Sequence, residues 1–157
     1  MSPGKKWERK FQKICKDSKI FCYRLKDSPS SFFKGDEKIR FTNSNISDFF
    51  VYFDGKLFIT ELKTTASSSL PFVNFSNHQI SELNNIIDKY IGVEAIVFIE
   101  MRRYNESYLL RWKDMSKKII ENTRKSWSYD FIRTKGLKLE NTDFEEILRS
   151  FACGELG

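Results

Sequence analysis

The chain has 157 residues, of which 40% are hydrophobic and 15% aromatic, ample for a single packed core and about the length of one domain. Its 27 Lys and Arg against 21 Asp and Glu leave a net charge of +6 and a pI near 9.2, which favours an anionic partner such as nucleic acid, although charge alone leaves a membrane surface open. No run of about 18 apolar residues exists to span a bilayer, and residues 1–15 lack the apolar stretch of a secretion signal, so a cytoplasmic protein is expected.

Residues 1–26 hold nine Lys or Arg against only Glu8 and Asp17. Within them Trp7, Phe11, Ile14 and Cys15 recur at the spacing of one helical face, so the chain opens with an amphipathic helix whose lysines mostly face solvent. Residues 20–25 read as a first strand. A polar excursion over 26–47 follows, too long for an ordinary connection and therefore functional or disordered. Residues 49–53 and 56–63 are β-prone runs separated by Asp54-Gly55, the strongest short-range hairpin signal. Ser76 and Gln79 form a capping box, with Phe75 and Ile80 as a hydrophobic staple, opening a helix to about Tyr90. The nearly continuous apolar run 95–101 reads as a strand buried on both faces, with 108–112 as its partner in a mixed sheet. Residues 115–122 read as helical, and Thr142 with Glu145 caps a last helix that buries Phe144, Ile147, Leu148 and Phe151. No repeat or linker divides the chain, so one domain over 1–157 is expected. Cys15, Cys22 and Cys153 are odd in number and form no C-x-x-C pair, so buried free thiols are expected.

The two-residue turn fixes the hairpin register. With Phe53 facing Lys56, counting back along both arms sets Asp48 opposite Glu61, and Lys63 shares the face of Glu61. Carboxylates so paired have Cβ atoms roughly 5 Å apart and repel unless neutralised. A hard divalent cation, Mg2+ or Mn2+, would neutralise them, keep several waters and reach a substrate phosphate. Lys63 at the rim would orient or help deprotonate an attacking water and offset charge on a phosphorane-like transition state. The bland reading is a strand-end aspartate and the wet face of a hairpin.

The same residues carry a family resemblance. Ser47-Asp48, Asp54-Gly55 and Glu61-Leu62-Lys63-Thr64, followed by Leu70-Pro71-Phe72, Asn74-Phe75 and His78-Gln79, resemble the RecU family of Holliday junction resolvases within the PD-(D/E)XK nuclease superfamily. Weaker similarity runs through 92–109 and 136–148, and back to Gly4 and Glu8. The resemblance implies an α/β, restriction-endonuclease-like fold, a four- or five-stranded mixed sheet flanked by helices with a stalk-like insertion at 26–47. It also implies a homodimer that resolves four-way DNA junctions by paired nicks in recombination and repair.

On this resemblance Asp48 and Glu61 are metal ligands with the carbonyl of Leu62 a third, and Lys63 is the catalytic lysine. Glu8 matches the acidic residue given by the first helix, or is a solvated helix charge. Gln79 matches a position facing the active site, which its capping role explains equally well. DNA contacts are expected from Lys5, Lys6, Arg9, Thr64 and His78, and from Phe32, Phe33, Lys34, Lys38 and Arg40 in the insertion, where aromatics beside cations suit unpaired nucleotides. Two other readings stay open: a less selective or sequence-specific nuclease on the same fold, and a non-catalytic DNA-binding module.

Overall fold

The computed structural model describes residues 1–26, 45–139 and 143–153. Helix α1 (Pro3–Asp17) starts where Ser2 accepts the Lys5 amide and Pro3 takes the first position, and it buries Trp7, Phe11 and Cys15 as their spacing requires. Strand β1 (Phe21–Arg24) follows. Strands β2 (Phe49–Phe53) and β3 (Lys56–Thr65) form the expected hairpin, Phe53 pairing with Lys56. Asp54 and Gly55 both have positive φ, 50° and 78°, the geometry of a two-residue turn that matches strand twist.

After the short strand β4 (Ser69–Pro71) and a 3-10 turn, helix α2 (Asn77–Asn84) opens on the Ser76–Gln79 capping box. It ends at Asn84, not near Tyr90. The run Asn84-Asn85-Ile86-Ile87-Asp88 is poor in helix formers, and tighter i→i−3 bonds at Ile86, Ile87 and Lys89 carry the chain on in isolated turns. Then come β5 (Val93–Met101), β6 (Glu106–Arg111), α3 (Trp112–Glu121), β7 (Ser126–Ser128), α4 (Tyr129–Lys135), β8 (Leu137–Lys138) and α5 (Phe144–Ala152). The cap of α5 is Asp143, whose carboxylate accepts the Glu145 amide; Thr142 lies outside the described residues.

Among the described residues the main sheet has six strands in the order β1-β2-β3-β5-β6-β8, more than the four or five expected, because the two-residue edge strand β8 is added to it. Only β3 and β5 run parallel; all other neighbours are antiparallel. A second sheet pairs β4 with β7. One face of the main sheet packs Phe49, Phe58, Ile96 and Phe98 against α1 and α5. The other packs Ile59, Val97 and Ile99 with Leu70, Phe75, Leu83, Trp112 and Trp127. Strand β5 is thus apolar on both faces, as its continuous run requires.

All the cysteines are free; Cys15 is buried and Cys22 half-buried, whereas Cys153 is exposed, contrary to expectation, because it caps α5 beyond the last apolar position of that helix. Where the 26–47 excursion leaves and rejoins the fold, the Leu25 amide donates to the Asp48 carbonyl at 2.8 Å, and the Asn45 side-chain amide donates to the Lys26 carbonyl at 2.7 Å. Phe32, Phe33, Lys34, Lys38 and Arg40 lie outside the described residues. No helix among the described residues is long and apolar enough to cross a membrane.

Candidate active site

Strand β3 outruns its hairpin partner. The last antiparallel pair is Phe49 with Thr60, while β3 continues to Thr65 against β5 alone. From Glu61 onward one edge of β3 therefore has no strand beside it among the described residues, and Asp48 fills the start of that gap. Its carboxylate accepts the Leu62 amide at 2.8 Å. The N–H and C=O of one strand residue leave by the same edge, so the Leu62 carbonyl also points to the Asp48 side. Asp48 thus does cap a strand end, and its capping is what brings its carboxylate beside Glu61.

Glu61 is 2% exposed, so its charge must be answered from within. Its Oε1 receives the Lys63 ammonium at 2.7 Å and the Gln79 side-chain amide at 2.9 Å. Its Oε2 is buried and has no hydrogen-bond partner among the described residues. The Lys63 ammonium lies 4.5 Å from the centre of the Phe75 ring, which holds the cation by its π face. Gln79 performs both functions considered for it: its Oε1 accepts the Ser76 amide in the capping box while its Nε2 donates to Glu61.

Burial, reinforced by the negative charge of Glu61, pushes the Asp48 carboxyl up to about 7 against the opposing pull of the Leu62 amide and Lys63. Glu8 adds to that rise, so α1 brings its carboxylate within electrostatic reach of Asp48 from the opposite face of the sheet. Glu8 is itself paired with Arg24 at 2.7 Å.

Among the described residues no group of three or more His, Cys, Asp or Glu side chains is arranged to hold a metal. A hard ion such as Mg2+ needs fewer, since it binds through one or two carboxylates and completes its octahedron with water and substrate oxygens. The unpartnered Glu61 Oε2, the raised Asp48 and the outward Leu62 carbonyl fit such an ion.

The other expected contacts are scattered around this centre. Lys5, Lys6 and Arg9 lie on the exposed side of α1, and His78 is exposed in the first turn of α2. The Thr64 hydroxyl donates to Glu100 at 2.7 Å and accepts from Arg102 at 3.1 Å, so it is already engaged within the fold. Sequence reasoning passed over Phe75 as the seat of Lys63 and Arg24 as the partner of Glu8. In the sequence Phe75 stands out as a staple residue and in the Asn74-Phe75 pair, neither of which points to Lys63, and nothing local ties Arg24 to a residue 16 positions away.

A mixed sheet whose strand-end aspartate meets a Glu-x-Lys on the adjoining strand is the restriction-endonuclease-like nuclease fold. Residues 12–149 match the RecU family model, "Recombination protein U", and the chain belongs to that family. It is 29% identical over 131 residues to the SPbeta prophage-derived uncharacterized protein YotM of Bacillus subtilis (strain 168), a match covering 78% of this chain. The chain spans 66% of that relative's length. Among solved structures it resembles Archaeoglobus fulgidus Hjc, a Holliday junction resolvase from an archaeal hyperthermophile, with a TM-score of 0.58 and 16% identity, over 92% of this chain and 98% of that one.

Proposed function

We propose that the chain is a divalent-metal-dependent endonuclease that, as a homodimer, resolves four-way DNA junctions by paired nicks in the cytoplasm. The family model's span over 12–149 supports one nuclease domain. The observation that carries the reading is Glu61, buried beside Asp48 and Lys63 with one carboxylate oxygen left over. Asp48, Glu61 and the Leu62 carbonyl would hold Mg2+ or Mn2+, which when bound would polarise the scissile phosphate.

The chain's own groups do the rest. Gln79 and Lys63 fix the Glu61 carboxylate from one side, leaving its free oxygen directed at the phosphate site. Lys63, held by Phe75 and Glu61, orients the attacking water and offsets the charge that builds on the phosphorane-like transition state. Glu8 adds negative charge at the rim of the same site. The basic side of α1 steers the DNA backbone toward it, and binding should weaken steeply with salt.

The test is magnesium-dependent nicking of a labelled immobile four-way junction beside a matched linear duplex, with the parent chain and Asp48→Asn. Selective, symmetric cuts that vanish in the variant are expected. Equal cutting of both DNAs would replace junction resolution with general nuclease activity. Tight junction binding without any cut would leave only a binding module.

A further inference from the structure

On the far side of the aromatic cluster that seats Lys63 lies a groove that the proposed chemistry does not use. Phe75 packs against Trp127 with ring centres 5.5 Å apart, and Trp127 against Phe72 at 4.4 Å. Beyond these rings opens a cavity of about 600 Å³ whose lining includes Phe72, Phe131, Lys118, Arg124 and Lys135. Phe72 and Phe131 are half-buried and present ring surface there.

The charges around the groove do not cancel. Asp130 on its rim is paired with Arg133 at 3.1 Å, and Lys118 with Glu121 at 2.7 Å while also lying 5.9 Å over the Phe131 ring. Arg124 and Lys135, and Lys125 next in sequence, are exposed and form no ion pair among the described residues. Cations left uncompensated beside open aromatic faces suit a single nucleic-acid strand, whose phosphates need charge and whose bases stack without regard to sequence. Trp127, which lines the groove, packs against Phe75, the seat of Lys63, so the groove is joined to the proposed site through one buried ring contact.

We infer that this groove is a second DNA-contact surface, holding an unpaired nucleotide of the substrate strand with phosphates on Arg124 and Lys135 and a base against Phe72 and Phe131. The inference rests on the nuclease reading for its substrate. It assigns to this groove the recognition of locally unpaired DNA and leaves hydrolysis to the Asp48–Glu61–Lys63 site.

Binding in metal-free buffer tests it, with a labelled four-way junction, a short oligo-dT and an abasic strand of equal length as probes. Arg124→Gln with Lys135→Gln should weaken junction binding about tenfold at moderate salt and flatten the slope of log affinity against log salt by nearly two. Lys89→Gln with Lys113→Gln removes the same charge near the other end of β5 and should leave the slope unchanged; an equal effect from both pairs would reduce the result to bulk charge and overturn the inference. The parent chain should prefer oligo-dT to the abasic strand several-fold, and Phe131→Leu, which keeps the apolar packing, should erase that preference. Equal binding of the two strands by the parent chain would also overturn it. Since no metal is present, a parent chain that binds but never nicks junctions refutes the proposed function while the groove is still judged on slope and preference; a parent chain that binds no DNA refutes both.

Discussion

Asp48→Asn should make the metal-free protein more stable while ending its chemistry. The Asp48 carboxyl is raised from an ordinary 3.8 to about 7, chiefly by burial and by Glu61, so between those values the folded state keeps a proton that the unfolded chain has released. Folding stability therefore falls as pH rises through this window, and above about pH 7 the full cost of holding the charge is present. At about 1.4 kcal/mol for each tenfold in proton affinity the ceiling is ~4 kcal/mol, and local relaxation brings the expected value to ~2 kcal/mol. Asn retains an oxygen for the Leu62 amide, so the substitution removes the charge without orphaning that donor.

Urea unfolding with a chelator should show the variant more stable by ~2 kcal/mol near pH 8, the gap narrowing as pH is lowered toward about 4. Added Mg2+ should then stabilise the parent chain and not the variant. Equal stability near pH 8, or a gap that does not narrow in acid, would refute the reasoning.

Lys63→Met keeps apolar contact with Phe75 but strips Glu61 of its cation; nicking should fall at least ~100-fold, and metal-free stability by ~3 kcal/mol in urea titrations. Gln79→Ala should cost ~1 kcal/mol through the lost cap, and Gln79→Glu, which keeps the capping acceptor, should cost more because a second carboxylate then faces Glu61. A Gln79→Glu variant as stable as the parent chain would mean that only the cap matters. Hydrogen bonds from Lys138, Tyr108 and Tyr129 hold the Glu106 carboxyl down to about 2, a stabilisation present above its usual 4.5 and lost as pH falls toward 2. Glu106→Gln should therefore weaken the fold at neutral pH, with its unfolding curve converging on that of the parent chain as acid is added. Gly136→Ala would bring a methyl to 2.6 Å from the Ile132 carbonyl and 3.1 Å from Tyr108, and thermal melts should report a loss of ~1–3 kcal/mol.

The hairpin and its register were legible in the sequence because Asp54-Gly55 admits little but a two-residue turn, and one such turn sets every pair along both arms. The Ser76–Gln79 cap and the apolar stripes of α1 and α5 were legible for a similar reason: their signals are confined to one turn or one helical period. What escaped depends on distant partners. Strands β4, β7 and β8 are two or three residues long and carry no period of their own; they exist because Leu70 meets Trp127 and Tyr108 meets Lys138. At the site, Asp48, Glu61 and Lys63 followed from register, but the cation over Phe75 and the pairing of Glu8 with Arg24 required two faces of a sheet to be assembled first.

The two hydrogen bonds at the neck of the 26–47 excursion separate what this protein could change from what it must keep. Leu25 to Asp48 and Asn45 to Lys26 close the chain on itself immediately before Asp48, which is held by the neck on one side and by Leu62 on the other. Because the entropy of closing a loop grows only with the logarithm of its length, a change in length beyond that neck costs little in closure entropy. The neck is thus a splice point: a lineage could exchange the segment it closes, or an engineer could graft another loop there, with the Asp48–Leu62 contact kept at its base.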